Sequence, residues 1–124
     1  MPRYVVLRHE TAEGVHWDFM LEQGPALCTW ALPRAPDAPE PMTAESLPDH
    51  RLAYLDYEGP ISGGRGVVSR WDRGTFELEA QSAAEWRVIL CGERLCGRVD
   101  LRRLPEPGQR WQFAYAPAPR PGPP

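Results

Sequence analysis

Val15-His16-Trp17-Asp18-Phe19-Met20-Leu21-Glu22 carries two patterns at once. Side chains alternate faces along a strand, so Val15, Trp17, Phe19 and Leu21 fall on one side and His16, Asp18, Met20 and Glu22 on the other. The first set is apolar and is expected to face a core. The second sets an imidazole and a carboxylate two residues apart on one face, where both can converge on a single divalent ion. Upstream, His9 ends another apolar run, and Glu10–Gly14 is short enough for a hairpin that brings His9 beside His16 or Asp18. Two histidines and one carboxylate leave coordination positions open. Their mixed nitrogen and oxygen donors favour Mn²⁺ or another divalent transition metal over Ca²⁺ or Mg²⁺. A His-x-Asp pair is equally at home on a solvated polar strand face, so spacing alone does not choose between the two.

Outward from this stretch, short Val-, Trp-, Tyr- and Phe-rich runs are punctuated by Gly and Pro, which reads as all-β. Strands are expected over Tyr4–Arg8, Val15–Glu22, Leu27–Leu32, Arg51–Tyr57, Gly66–Trp71, Thr75–Glu79, Trp86–Cys91, Arg98–Arg103 and Trp111–Tyr115. No long segment shows helical period. Pro33–Pro48 holds Pro33, Pro36, Pro39, Pro41 and Pro48 and is expected to be a surface crossover. Pro117–Pro124 contains five prolines and no apolar side chain larger than Ala, so one domain over residues 1–116 with a flexible tail over 117–124 is expected. A chain of 124 residues with 42% hydrophobic content suffices for one core. Trp17, Phe19, Trp30, Trp71 and Trp86 are assigned to that core.

Composition removes several classes of function. All 14 basic residues are arginine, so Schiff-base and phosphate-loop lysine chemistry is excluded. A formal charge of −3 argues against gripping long duplexes through many phosphates but leaves room for an enzyme that holds one strand end. Cys28, Cys91 and Cys96 match neither a disulfide framework nor a paired zinc pattern. No run approaches the roughly 20 apolar residues needed to span a bilayer, and the start lacks a signal-peptide core. A cytoplasmic monomer with no membrane contact is expected.

The ordered motifs resemble the 3′-phosphoesterase module of bacterial DNA ligase D and its stand-alone relatives. Arg8-His9 with Val15–Glu22 is similar to that family's Lys-His, turn, Leu-His-Tyr-Asp-Phe-Arg-Leu-Glu pattern. Trp30-Ala31-Leu32-Pro33-Arg34, Pro48-Asp49-His50-Arg51-Leu52-Ala53-Tyr54 and Tyr57-Glu58-Gly59 follow in order. Val68–Thr75 resembles the Trp-Asp-x-Gly hairpin, and Leu90–Arg98 the Leu-x-Gly-x-Lys-Leu-x-Gly strand pair.

The resemblance implies a small closed or nearly closed β-barrel of short antiparallel strands with a long Pro-rich loop. It also implies a metal on His9, His16 and Asp18, and phosphate contacts from His50 and Tyr54. The implied activity is Mn²⁺-dependent healing of 3′-phosphate or 3′-ribonucleotide ends in DNA repair. DNA or DNA/RNA 3′ ends are the implied substrate, and end-joining proteins such as a ligase or a Ku-like protein the implied partners.

Three departures stand out. Met20 occupies the place of a phosphate-contacting arginine, Met42 falls eight residues before His50 where a second arginine is expected, and Pro60–Gly66 is a shortened glycine-rich turn. Arg51, Arg65 and Arg70 are candidate substitutes. The alternative reading is a catalytically weakened relative that binds nucleic-acid ends or a protein partner.

Overall fold

The computed structural model describes residues 1–120. Its strands are β1 (Arg3–Thr11), β2 (Gly14–Gln23), β3 (Ala26–Leu32), β4 (Met42–Arg51), β5 (Gly59–Pro60), β6 (Val67–Gln81), β7 (Glu85–Gly92), β8 (Cys96–Arg103) and β9 (Arg110–Pro117). All pairings are antiparallel, in the order β1-β2-β3-β4-β9-β8-β7-β6-β5, and β6 also pairs with β1. The order thus comes back on itself. β6 bends, giving its first half to β1 and its second to β7, and the all-β barrel expected from sequence is present. No helix among the described residues is long and apolar enough to cross a membrane.

Alternation places Tyr4, Val6, Phe19, Leu21, Trp30, Trp86 and Phe113 inside the barrel, with Trp17 and Trp71 packed against that cluster. The opposite face of β1, β2 and β3 is not solvated either. Val5, Leu7, Met20 and Leu27 form a second apolar cluster with Val68 and Leu55, covered by the segment after β4 through Leu52, Tyr54 and Ile61. Asp18 lies on this covered face and is only 3% exposed.

Two of the expected elements differ in the structure. The Pro33–Pro48 crossover ends at Pro41, because β4 begins at Met42 and runs through Pro48. Its register against β3 shifts between Thr29↔Leu47 and Leu27↔His50, so Pro48 and Asp49 together oppose Cys28 in a bulge. A bulge is where a strand tolerates proline. The extra residue turns His50 onto the outer face, opposite Leu27. The expected strand over Arg51–Tyr57 is instead the end of β4 and a 3₁₀ turn over Leu52–Leu55.

The expected strands Gly66–Trp71 and Thr75–Glu79 are one strand, β6, and Trp71-Asp72-Arg73-Gly74 is no hairpin. Val6 opposes Asp72 while Leu7 opposes Arg70, so Trp71 is the inserted residue of a bulge and Asp72 turns inward. Of the segment expected as a flexible tail, the first residues are held by the barrel. Pro117 closes β9, Ala118 N donates to the Cys96 carbonyl at 2.8 Å, and an Arg120 guanidinium nitrogen donates to the Gly92 carbonyl at 2.7 Å. Residues 121–124 of the tail lie outside the described residues.

Candidate metal centre and adjoining pocket

β1 and β2 join through a two-residue turn, which sets His9 directly opposite His16. Their rings lie 4.6 Å apart between centroids, and Asp18 is the next residue on the same face of β2. One ligand atom from each of His9, His16 and Asp18 lies within 4.8 Å of the others. Strand period and turn length therefore bring all three sequence-selected ligands together. Glu22 leaves the cluster: its Oε1 accepts from the Arg3 backbone N–H at 2.8 Å.

The donor set suits a divalent cation. His9 Nε2 lies 2.6 Å from the Arg65 carbonyl oxygen, which only accepts, so Nε2 carries a proton and donates to it. In the neutral ring that leaves Nδ1 as a lone pair 3.2 Å from Asp18 Oδ2, an arrangement that a cation between them relieves. Donation of the second ring nitrogen to a carbonyl is also how metal-bound histidines are held in orientation. Asp18 Oδ1 is buried without an aligned donor; His16 Nε2 comes within 3.0 Å of it but misses hydrogen-bond alignment. At that distance the Asp18 carboxylate nonetheless raises the His16 imidazole above its ordinary pKa, with burial opposing.

His9 and Asp18 also line a cavity of about 70 Å³ together with Met20, His50, Tyr54 and Arg65. His50 arrives by the β4 bulge and Tyr54 by the 3₁₀ turn, their rings 5.6 Å apart and edge to face. His50 Nδ1 bonds the Pro48 carbonyl at 2.9 Å, which leaves Nε2 for other partners. His16 does not line this cavity and borders a larger one of about 850 Å³ on the other side. Met20, 1% exposed, sits between the second apolar cluster and the small cavity, whereas Met42 packs inside the barrel.

Sequence reasoning gave Arg65 no role beyond that of a possible substitute arginine. Its carbonyl orients His9, and it is carried by a turn whose Gly63, Gly64 and Gly66 have φ of 78°, 69° and 94°. At Gly66 a Cβ would come within 2.1 Å of the Glu10 carbonyl oxygen, so the turn can press against the end of β1 only with glycine there. That glycine run was the signal available.

Together these features define an antiparallel barrel with a candidate two-histidine, one-carboxylate metal centre on its outer wall, next to a His–Tyr pair. The chain belongs to the family described as the DNA Ligase D 3'-phosphoesterase domain, which matches residues 8–103. It is 36% identical over 121 residues to the multifunctional non-homologous end joining protein LigD of Pseudomonas aeruginosa, covering 90% of this chain and 14% of that protein. Against the multifunctional non-homologous end joining DNA repair protein LigD of Mycobacterium tuberculosis it is 34% identical over 117 residues, 86% of this chain and 15% of the relative. The LigD protein of Mycolicibacterium smegmatis is 30% identical over 128 residues, 88% and 16% of the respective chains. The chain thus spans only about a seventh of the length of these relatives.

Proposed function

We propose that the protein heals nucleic-acid 3′ ends during DNA repair, releasing a terminal 3′-phosphate, or a 3′-ribonucleotide, to leave a 3′-hydroxyl. The observation that carries this reading is that His9 and Asp18 share one small cavity with His50 and Tyr54. A divalent transition metal, Mn²⁺ foremost, held by His9, His16 and Asp18 would supply a Lewis acid for a phosphoryl oxygen. His9 is kept in orientation by the Arg65 carbonyl, and Asp18 contributes the negative charge that holds a cation. With Nδ1–H donating to the Pro48 carbonyl, His50 would act as the imidazolium, its Nε2–H stabilising charge on, or giving a proton to, an oxygen of the phosphate, and the Tyr54 hydroxyl donates to another. A cytoplasmic monomer acting beside a ligase or a Ku-like protein completes the proposal.

Incubating the full chain with a primer–template bearing a 3′-phosphate, in Mn²⁺ or in EDTA, tests it. Inorganic phosphate is expected with Mn²⁺ alone. Phosphate release unaffected by EDTA, or none with any divalent metal, would count against the proposal. His50→Ala is expected to slow release about a hundredfold, in keeping with loss of one aligned donor. Folding should survive, because His50 is only part-buried on a bulged strand end. An unchanged rate would return His50 to the status of a surface histidine.

Met20 favours the second reading, a weakened relative that binds ends, because it offers a thioether where a phosphate-binding arginine is expected. Met20→Arg is expected to raise kcat/KM on a 3′-phosphate end at least about tenfold through a planar donor fork. The same change should cost about 1–3 kcal/mol of stability, since a charge enters an apolar cluster beside a small cavity. No gain in rate from a folded Met20→Arg protein would favour the binding module.

A further inference from the structure

Two cavities flank the candidate metal cluster, and their chemistry differs. The larger, about 850 Å³ and bordered by His16, presents Glu45 and Glu106 against a single cation, Arg110. A phosphate chain gains no net attraction there. The smaller, about 280 Å³, shares Tyr54, Ile61 and Arg65 with the His9–Asp18–His50 cavity and adds Arg51 and Tyr57. No carboxylate lines it.

Both of its arginines have charge to spare. Seven of the chain's 14 arginines are ion-paired, but neither Arg51 nor Arg65 has a carboxylate partner among the described residues. Arg65 is held only by neutral acceptors, Ser62 O at 2.8 Å and Ser62 Oγ at 3.2 Å, which leaves part of its donor fork free. Tyr57 is 36% exposed, yet its ring is fixed, because its hydroxyl donates to the Pro60 carbonyl and its plane stands 88° to Tyr54 at 5.8 Å. An immobilised, exposed ring beside two unpaired guanidinium groups is what a single-stranded nucleotide recognises: stacking for the base, cations for the phosphate.

We propose that this cavity is the subsite for the 3′-terminal nucleotide, with its base on Tyr57 and its 5′-phosphodiester on Arg51. Arg65, at the junction of the two cavities, bridges that phosphodiester and the terminal phosphate. The strand therefore leaves the metal cluster toward residues 51–65 and not past His16. The assignment rests on the end-healing reading and specifies where its substrate lies.

The test uses the full chain and a short single-stranded oligonucleotide ending in a 3′-phosphate, with 2-aminopurine as its last base. Binding is followed in EDTA by anisotropy and by 2-aminopurine fluorescence, and phosphate release is assayed in parallel with Mn²⁺. Arg51→Gln is expected to raise Kd about tenfold and to flatten the salt dependence by about 0.7 in slope, the share of one phosphate contact on a single strand. Tyr57→Leu should remove the fluorescence change, Tyr57→Phe should retain most of it because the ring still packs edge to face on Tyr54, and Arg110→Gln should leave Kd unaltered. If Arg110→Gln weakens binding while the Arg51 and Tyr57 variants do not, the strand lies on the other side and the subsite is overturned. Metal-dependent phosphate release that persists in that case leaves the end-healing reading standing. Binding that follows the expected pattern without any phosphate release retains the subsite and sinks the enzyme reading. A wild-type protein that binds no such oligonucleotide overturns the subsite outright.

Discussion

Asp18→Asn is expected to lower Mn²⁺ affinity at least about a thousandfold and to abolish the proposed phosphate release, because it removes the only carboxylate among the three candidate ligands. The side chain keeps its shape and one acceptor oxygen, so packing around Met20 and Leu7 is preserved. Without metal, stability should change by no more than about 1 kcal/mol, since a buried carboxylate gains little from partners it does not fully satisfy. The two proteins then separate by thermal unfolding. At a Mn²⁺ concentration near 100 Kd, wild type gains about 2.7 kcal/mol from binding to the folded state only, whereas Asp18→Asn gains nothing measurable. A metal-induced rise in Tm of the same size in both proteins would remove Asp18 from the ligand set.

The alternation in Val15–Glu22 was sufficient to set the candidate ligands His16 and Asp18 on one face but not to describe their surroundings. Phe19 and Leu21 do face the barrel interior, and His16 and Asp18 do share the other face. That face reads as polar because Met20 is its one apolar member between Asp18 and Glu22. It is nonetheless covered, by Leu55 and Ile61 from a segment more than 30 residues away, and no local pattern carries a cover that distant. The cover turns a polar strand face into a pocket: it burys Asp18, brings Tyr54 to His50 and aims the Arg65 carbonyl at His9.

Two of the misjudged segments lie at bulges. Pro48 argues against a strand and Asp72-Arg73-Gly74 argues for a turn, yet an inserted residue lets the chain stay paired at both places. These bulges also aim the residues that matter, His50 outward to the site and Asp72 inward to the core. The resemblance singled out His50 and Tyr54, and its missing arginines drew attention to Arg51 and Arg65, but neither pointed to the contact of the Arg65 carbonyl with His9 or to the cavity around Tyr57.

Asp72→Ala is expected to destabilise the fold by about 3–5 kcal/mol, a large share of the 5–15 kcal/mol typical of a domain. Asp72 is buried, and its carboxylate accepts from the Tyr4 hydroxyl at 2.6 Å, the Arg94 N–H at 2.8 Å and the Leu95 N–H at 3.1 Å. It thereby ties β1, the β6 bulge and the β7–β8 turn to one point. Burial and the neighbouring Asp72 carboxylate both hold the Tyr4 hydroxyl far above its ordinary pKa, so it stays a donor throughout the working pH range. The space is closed as well: a Cβ on Gly92 would fall 1.8 Å from the Tyr4 hydroxyl and 2.7 Å from Asp72 Oδ2. Alanine leaves three donors without acceptors, each worth about 1–3 kcal/mol when buried, and Tyr4 has no room to turn elsewhere. Tyr4→Phe removes one donor together with its bond and should cost only about 1 kcal/mol. In the double variant the two losses should fall short of additive, because the removed groups share a bond. Equilibrium unfolding in urea reads all three. Strict additivity, or an Asp72→Ala loss no larger than that of Tyr4→Phe, would mean that water fills the vacated site and that the bulge is held by the sheet alone.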